Sequence, residues 1–151
     1  MKTKKQVIIS IIILSVVCLA TVIFLHRPTS VVKEVVAMVY TNNGVEASET
    51  TISINGKMRS NPFSEEAIYT GLFQIAWYEP SCREGTEAKV KWIDSKNQYI
   101  NFFQAGNISF LTVEKIIIDK HMEEIAVGFS DGTIIATSEY NYIKYKNSLS
   151  N

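Results

Sequence analysis

Ile125-Ala-Val-Gly-Phe129, Ser130-Asp-Gly132 and Thr133-Ile-Ile-Ala-Thr137 read as two apolar runs joined by a turn. Asp-Gly between such runs is the strongest short-range hairpin signal in the chain, because both residues tolerate the backbone angles of a tight turn. The same grammar extends upstream. Ala88, Val90 and Trp92 alternate with Lys89 and Lys91, a half-buried strand with a wet face. Residues 94–98 turn the chain into a strand at 99–103, which Gln104-Ala-Gly-Asn107 ends, and residues 108–118 supply one or two more strands. Residues 50–59 alternate through Ile52 and Ile54 and then meet Asn55-Gly56, a signal for a tight hairpin or a bulge. Asn61-Pro-Phe-Ser64 is the next break.

Residues 67–78 predict one long strand of period two. Tyr69, Phe73, Ile75 and Trp77 fall on one side with Gly71 between them, and that side is the expected core face. A polar loop follows at 79–85. Residues 31–40 hold five valines at helical spacing, yet valine favours strands, so the reading leans to a strand or a short stalk that turns into one. Tyr40-Thr-Asn-Asn-Gly44 is a turn. Tyr140, Tyr142 and Tyr145 suggest a last edge strand or a flap over it, and Ser64-Glu-Glu-Ala67 could start a single helical turn. Seven or eight strands with turns every 8–12 residues predict a mainly β domain, either an antiparallel β-sandwich or a small barrel, rather than a βαβ arrangement.

In front of this domain, residues 7–25 run for 19 positions without a charge. As a helix they would extend about 28 Å, close to the hydrocarbon thickness of a bilayer. Lys2, Lys4 and Lys5 precede the run, which places the N-terminus in the cytoplasm by the positive-inside rule. Two other readings exist. A signal peptide cleaved near Cys18-Leu-Ala20 would leave a second apolar stretch at the new terminus, and acylation of Cys18 would need a motif that Ser15 and Val17 do not supply. The expected organisation is a cytoplasmic stub at 1–6, a transmembrane signal anchor at 7–25, a linker and first strand at 26–48, and a β-rich periplasmic domain at 49–151.

Charge narrows the function. Of 151 residues, 15 are basic and 15 acidic, but the first 27 carry four basic side chains and no acidic one, so residues 28–151 have a net charge of −4. That balance argues against nucleic acid, which requires a clustered basic face. It also argues against electrostatic docking to anionic lipid. Catalytic chemistry is sparse. His121 lies in a polar turn beside carboxylates, which makes it a pH-sensitive candidate or simply a solvated loop residue. One histidine makes a poor metal site, and no cofactor is expected. Cys82, the one cysteine beyond the apolar run, is a candidate for an intermolecular disulfide or a redox-sensitive thiol, or a loop cysteine without a role. Asn107-Ile-Ser109 matches a glycosylation acceptor, a signal that would be idle in a bacterium. Fifteen aromatic residues follow the apolar run. Tyr69, Phe73, Trp77 and Trp92 are the expected binding residues, lining either an apolar pocket or a subunit seam.

A short stub, one membrane helix and a small β-rich outer domain together resemble the accessory partners of ToxR-type transcription regulators, the ToxS, FidL and PsaF/MyfF kind. The resemblance is one of architecture over the whole chain, and no residue is carried over from it. It implies a non-enzymatic protein of the bacterial inner membrane that binds and stabilises a single-span regulator in the periplasm. It further implies sensing of bile salts or pH through a lipocalin-like barrel. A single outer cysteine departs from those relatives that use a disulfide. The competing reading is an immunity or inhibitor protein against a bacteriocin or lysozyme-like toxin, since an acidic domain suits a basic partner.

Overall fold

A computed structural model describes residues 2–25, 27–41, 48–61, 63–94, 97–103 and 113–150. Helix α1 (Lys2–Leu25) leads into strands β1 (Thr29–Tyr40), β2 (Ser48–Ser60) and β3 (Ala67–Ile75). A short 3-10 helix (Glu79–Cys82) precedes β4 (Glu87–Trp92), β5 (Gln98–Phe103), β6 (Val113–Ile118), β7 (Ile125–Phe129), β8 (Ile134–Ala136) and helix α2 (Glu139–Ser148). The turn expected at 40–44 and the acceptor at Asn107 lie largely or wholly outside the described residues.

The eight strands form one antiparallel sheet in the order β5-β4-β3-β2-β1-β8-β7-β6. Every hydrogen-bonded pair is a pair of chain neighbours except one. β8 returns to β1 through Met38 opposite Ala136, Val39 opposite Ile135 and Tyr40 opposite Ile134. That closure curls the meander until β5 and β6, the two ends of the order, face each other. The result is a nearly closed barrel. Its inward positions are filled: Ile52, Ile54, Tyr69, Phe73, Ile75, Val90, Trp92, Ile116, Val127 and Ile135 are each at most 1% exposed. Eight strands leave an interior just wide enough for side chains of this size.

Asn55-Gly56 forms neither a hairpin nor a bulge. β2 runs straight through it in unbroken register, with Gly56 opposite Val31 on one side and Gly71 on the other. A Cβ on Gly56 would lie 2.4 Å from the Thr70 carbonyl oxygen and 2.8 Å from Tyr69 Cε2. The glycine is therefore present for a close approach under the Tyr69 ring, a use that local sequence does not separate from a turn. The Tyr69 hydroxyl donates to the Leu72 carbonyl at 2.6 Å, which locks the ring over the glycine pair.

Burial pushes the Tyr69 phenol up to about 12, against a smaller opposing effect of a backbone hydrogen bond from Asn55. Tyr40 is raised by burial and by the Glu139 carboxylate, and Tyr145 by burial and by Glu114. A phenol raised in the folded state stabilises the fold fully below its ordinary value of about 10, and that contribution is lost as pH climbs through the folded value. The tyrosine contribution to stability, followed by urea titration, is thus expected to be constant below about pH 10 and to be lost between about pH 10 and 12. Tyr69→Phe should shrink that alkaline fall. An unchanged fall would show that Tyr69 does not drive it.

β3 stops at Ile75, three residues short of the expected end. Ser81, 1% exposed, explains the stop. Its hydroxyl accepts from the Ile75 amide at 2.8 Å and donates to the Tyr78 carbonyl at 2.8 Å, occupying groups that a continuing strand would have used. Thr50 Oγ1 takes the Trp77 amide at 3.0 Å. The turn breaks the period of two, so Tyr78 points inward at 2% exposure while Trp77 stands 39% exposed.

The tail is a helix rather than a strand, and it does serve as a flap. Ser138 caps α2 by accepting from the Asn141 amide at 3.2 Å, with Glu139 in the first turn and Lys146 in the last. Asn141 and Tyr145, four apart, are its buried positions. Tyr145 packs with Ala126, Ile134 and Ala136 on the outer face of β7 and β8, which accounts for every residue of both strands being buried. Gly128 makes room for the ring, since a Cβ there would sit 1.9 Å from the Tyr145 hydroxyl. Ser64 forms a turn instead of a helix start, accepting from the Glu66 amide at 3.2 Å.

Within the part of α1 whose side chains are described without interruption, residues 6–21, each side chain is exposed. Among the described residues no helix is long and apolar enough to cross a membrane.

Candidate functional site

The site begins with the seam the barrel leaves open. Among the described residues β5 pairs only with β4 and β6 only with β7, so their outer edges face each other without a ladder between them. β6 also shifts register between Val113 and Lys115, an irregularity common at sheet edges. A groove of about 500 Å³ lies along this seam.

Its walls follow from strand parity. On β4 the inward Ala88, Val90 and Trp92 turn Lys89 and Lys91 outward. On β5, Lys91 lies opposite Tyr99, Lys89 opposite Asn101 and Glu87 opposite Phe103. Tyr99 is 55% exposed and Phe103 53%, so the outer face of these two strands sets two exposed rings beside Lys89 and Lys91, with Glu87 at the Phe103 end. From β6, Lys115 borders the groove but its ammonium donates to the Ser148 carbonyl at 2.7 Å. Among the described residues Lys89 and Lys91 take part in no ion pair. A smaller recess of about 300 Å³ continues the seam at the Gln98 end, where Lys120 and Lys144 line it.

Trp92 ties the two sides together. Its indole N–H donates at 2.8 Å to the carbonyl of Ile118, the last residue of β6. This is a β4-to-β6 bond spanning the gap that β5 leaves.

No family model, curated protein or solved structure matches the chain. The arrangement of the seam and of the predicted residues therefore carries the functional reading. Tyr69, Phe73 and Trp92 are brought together inside the barrel, buried as core. Trp77 is not with them. Ala67 at the start of β3 pairs with Trp92, whereas Trp77 lies beyond the other end of that nine-residue strand, about 30 Å away. There it tilts against Phe129 with ring centroids 5.8 Å apart.

Cys82 and His121 also stand at opposite ends. Cys82 closes the 3-10 helix beyond Ile75, and its Sγ donates to the Ile75 carbonyl at 3.3 Å. His121 lies in the β6–β7 turn, where Asp119 Oδ2 accepts its amide at 3.0 Å and Asp119 Oδ1 accepts those of Glu123 and Glu124 at 2.8 Å. Glu123 pairs with Lys33. The Asp119 carboxylate thus builds the turn that lets Met122, at φ 57° and fully buried, plug this end of the core. Among the described residues no three His, Cys, Asp or Glu side chains are placed to hold a metal ion.

Cys82 is exposed. In a Cys18→Ser background, a membrane-impermeant maleimide is expected to label Cys82 in the native, reduced chain, and adding Cys82→Ser should abolish that signal. Protection in the native state followed by labelling in urea would mean that the loop is covered.

Proposed function

We propose that this chain is a non-enzymatic, membrane-anchored accessory protein whose barrel binds and stabilises a single-span ToxR-type transcription regulator. One observation carries the reading. The barrel interior is filled by its own side chains, while the seam outside presents, among the described residues, two strands with no ladder between them beside exposed rings and cations. Such a surface favours work by contact with a partner over work on an enclosed substrate. The separation of Cys82 from His121 adds to this, because a thiol nucleophile needs its base within hydrogen-bond reach.

The anchor reading is supported by the exposure of α1. Val7, Ile8, Ile9, Ile11 to Leu14, Val16, Val17 and Leu19 are each more than half exposed, an apolar surface that a bilayer would cover. On this reading the barrel lies in the periplasm, at the inner membrane. Bile-salt sensing, if retained, belongs at the seam, since about 500 Å³ is within the usual range for small-molecule sites.

Two measurements test the proposal. Carbonate extraction should leave the full chain in the membrane pellet, and deletion of residues 1–27 should release it. Coexpression should lengthen the half-life of a one-helix regulator in a protease-proficient cell, with the pair recovered together by affinity capture. A chain that washes off the membrane would overturn the anchor. Capture of a secreted toxin instead of a regulator would replace the proposal with the immunity reading.

A further inference from the structure

We infer that the end of the barrel carrying Phe63 and Ile93 rests on the bilayer, with both side chains seated at headgroup depth. The inference rests on the accessory reading for its anchor, α1. What it adds is the face of the barrel that meets lipid.

Chain connectivity supplies the direction. Leu25 ends α1 and Thr29 opens β1. Four residue steps reach at most about 14 Å, so the Thr29 end of β1 is the end nearest the membrane. Thr29 pairs with Met58, and the β2–β3 ladder continues past that level through Arg59 opposite Ile68 and Ser60 opposite Ala67. Those two pairs add about 7 Å toward the side from which α1 arrives, before the turn at 61–66 begins. Ala67 in turn pairs with Trp92, and Trp92 with Gln98, so the β4–β5 turn that Ile93 opens lies at the same end. Two hairpin turns thus project toward the surface that α1 enters.

Both turns hold an apolar side chain outward. Phe63 is 78% exposed, more than any other large apolar side chain among the described residues, and Ile93 is 43% exposed. Neither exposure comes from a loose loop. Asn61 Oδ1 accepts the Phe63 amide at 3.0 Å, and the Asn61 amide donates to the Glu66 carbonyl at 3.0 Å. In the other turn the Ile93 amide donates to the Asn97 carbonyl at 3.0 Å, and Asp94 Oδ1 accepts the Asn97 amide at 2.8 Å. Ordered turns that present apolar groups to the outside mark a surface that something covers. The four-residue tether to α1 makes that cover the bilayer.

Charge defines the lipid. Glu65, Glu66 and Asp94 outnumber Lys96 in these two turns, so attraction to anionic headgroups does not hold them. The contact is apolar and interfacial, of the kind aromatic side chains make at both membrane surfaces, and zwitterionic lipid suffices for it.

The test uses the full chain in zwitterionic nanodiscs whose lipids carry tryptophan-quenching bromines, near the headgroup in one set and at mid-chain in another. The parent sets the baseline, because Trp92 is buried and Trp77 lies at the far end of β3. Phe63→Trp and Ile93→Trp, each made alone, are expected to lose a larger fraction of their emission to the shallow bromines than the parent does. Ser130→Trp, in the exposed turn at the opposite end, should match the parent. Leu14→Trp with the deep bromines reads α1 by itself. All four sites are exposed, so the melting temperature should stay at the parent value. Excess quenching at 63 and 93 but not at 130 supports the inference. Excess at only one or neither of 63 and 93, equal excess at 130, or excess that requires anionic lipid overturns it. Quenching at 14 without excess at 63 and 93 sinks the lipid contact and leaves the anchor standing. Excess at 63 and 93 without quenching at 14 does the reverse.

Discussion

Gly71→Ala is expected to destabilise the barrel by about 3–5 kcal/mol, measured by urea titration, which for a domain of this size approaches loss of the fold. Two separate effects add. Gly71 adopts φ +153°, a conformation that residues with a Cβ rarely take. A Cβ built there would also lie 2.4 Å from Gly56 Cα and 2.5 Å from the Asn55 carbonyl oxygen. Both contacts are to backbone, so neither can be relieved by a side-chain rotation. Relief would require β2 and β3 to part where the Tyr69 ring crosses them. Gly85 provides the control. It too has positive φ, at +76°, but nothing lies within 4 Å of the Cβ position. Gly85→Ala should therefore cost about 1 kcal/mol, the conformational part alone. If the two variants cost the same, close approach of β2 and β3 is not what Gly71 provides.

Strands that bury one face were legible because alternation survives into three dimensions. Lys89 and Lys91 separate Ala88, Val90 and Trp92, and β4 forms with that parity. The Ser130-Asp-Gly132 hairpin was legible for a local reason: Asp131 Oδ1 accepts the Thr133 amide at 2.9 Å and Gly132 takes φ +82°. Asn55-Gly56 carries an equivalent local signal and yet sits mid-strand, because its glycine answers to Gly71 and Tyr69 some fifteen residues away. Trp77 was misplaced by one buried hydroxyl, Ser81, which ends β3 and shifts the parity after it. Helix α2 left readable traces in the Ser138 cap and in Asn141 and Tyr145 at i and i+4, but tyrosine-rich sequence suggests strands. The seam was not legible at all. Tyr99 and Phe103 alternate with Ile100 and Phe102, so both faces of β5 look apolar in sequence. Only the closure of β8 on β1 decides that β5 and β6 are the strands left unpaired.

Trp92→Ala is expected to cost about 3–5 kcal/mol, as removal of a large buried aromatic does. Trp92→Phe separates packing from polarity. Phenylalanine keeps most of the apolar bulk but removes the indole donor, leaving the Ile118 carbonyl without its 2.8 Å bond. An unsatisfied buried acceptor of this kind costs about 1–3 kcal/mol. The conservative variant should also act locally, because that bond is the β4-to-β6 tie across the seam. Amide exchange within 98–103 and 113–118 should quicken in Trp92→Phe more than in the β1–β2 ladder, whose eleven registered pairs run from Thr29 to Val39 and do not depend on it. Trp77→Phe is the matched control at the other end of β3, where a 39% exposed ring should be worth less than about 1 kcal/mol. Because the chain has two tryptophans, that control also isolates Trp92, whose emission should be blue-shifted by its burial. Uniform loosening of the whole sheet in Trp92→Phe would mean that the indole bond stabilises the core without holding the seam. Loosening confined to β5 and β6 would place the seam's width, and with it the groove, under control of a single hydrogen bond.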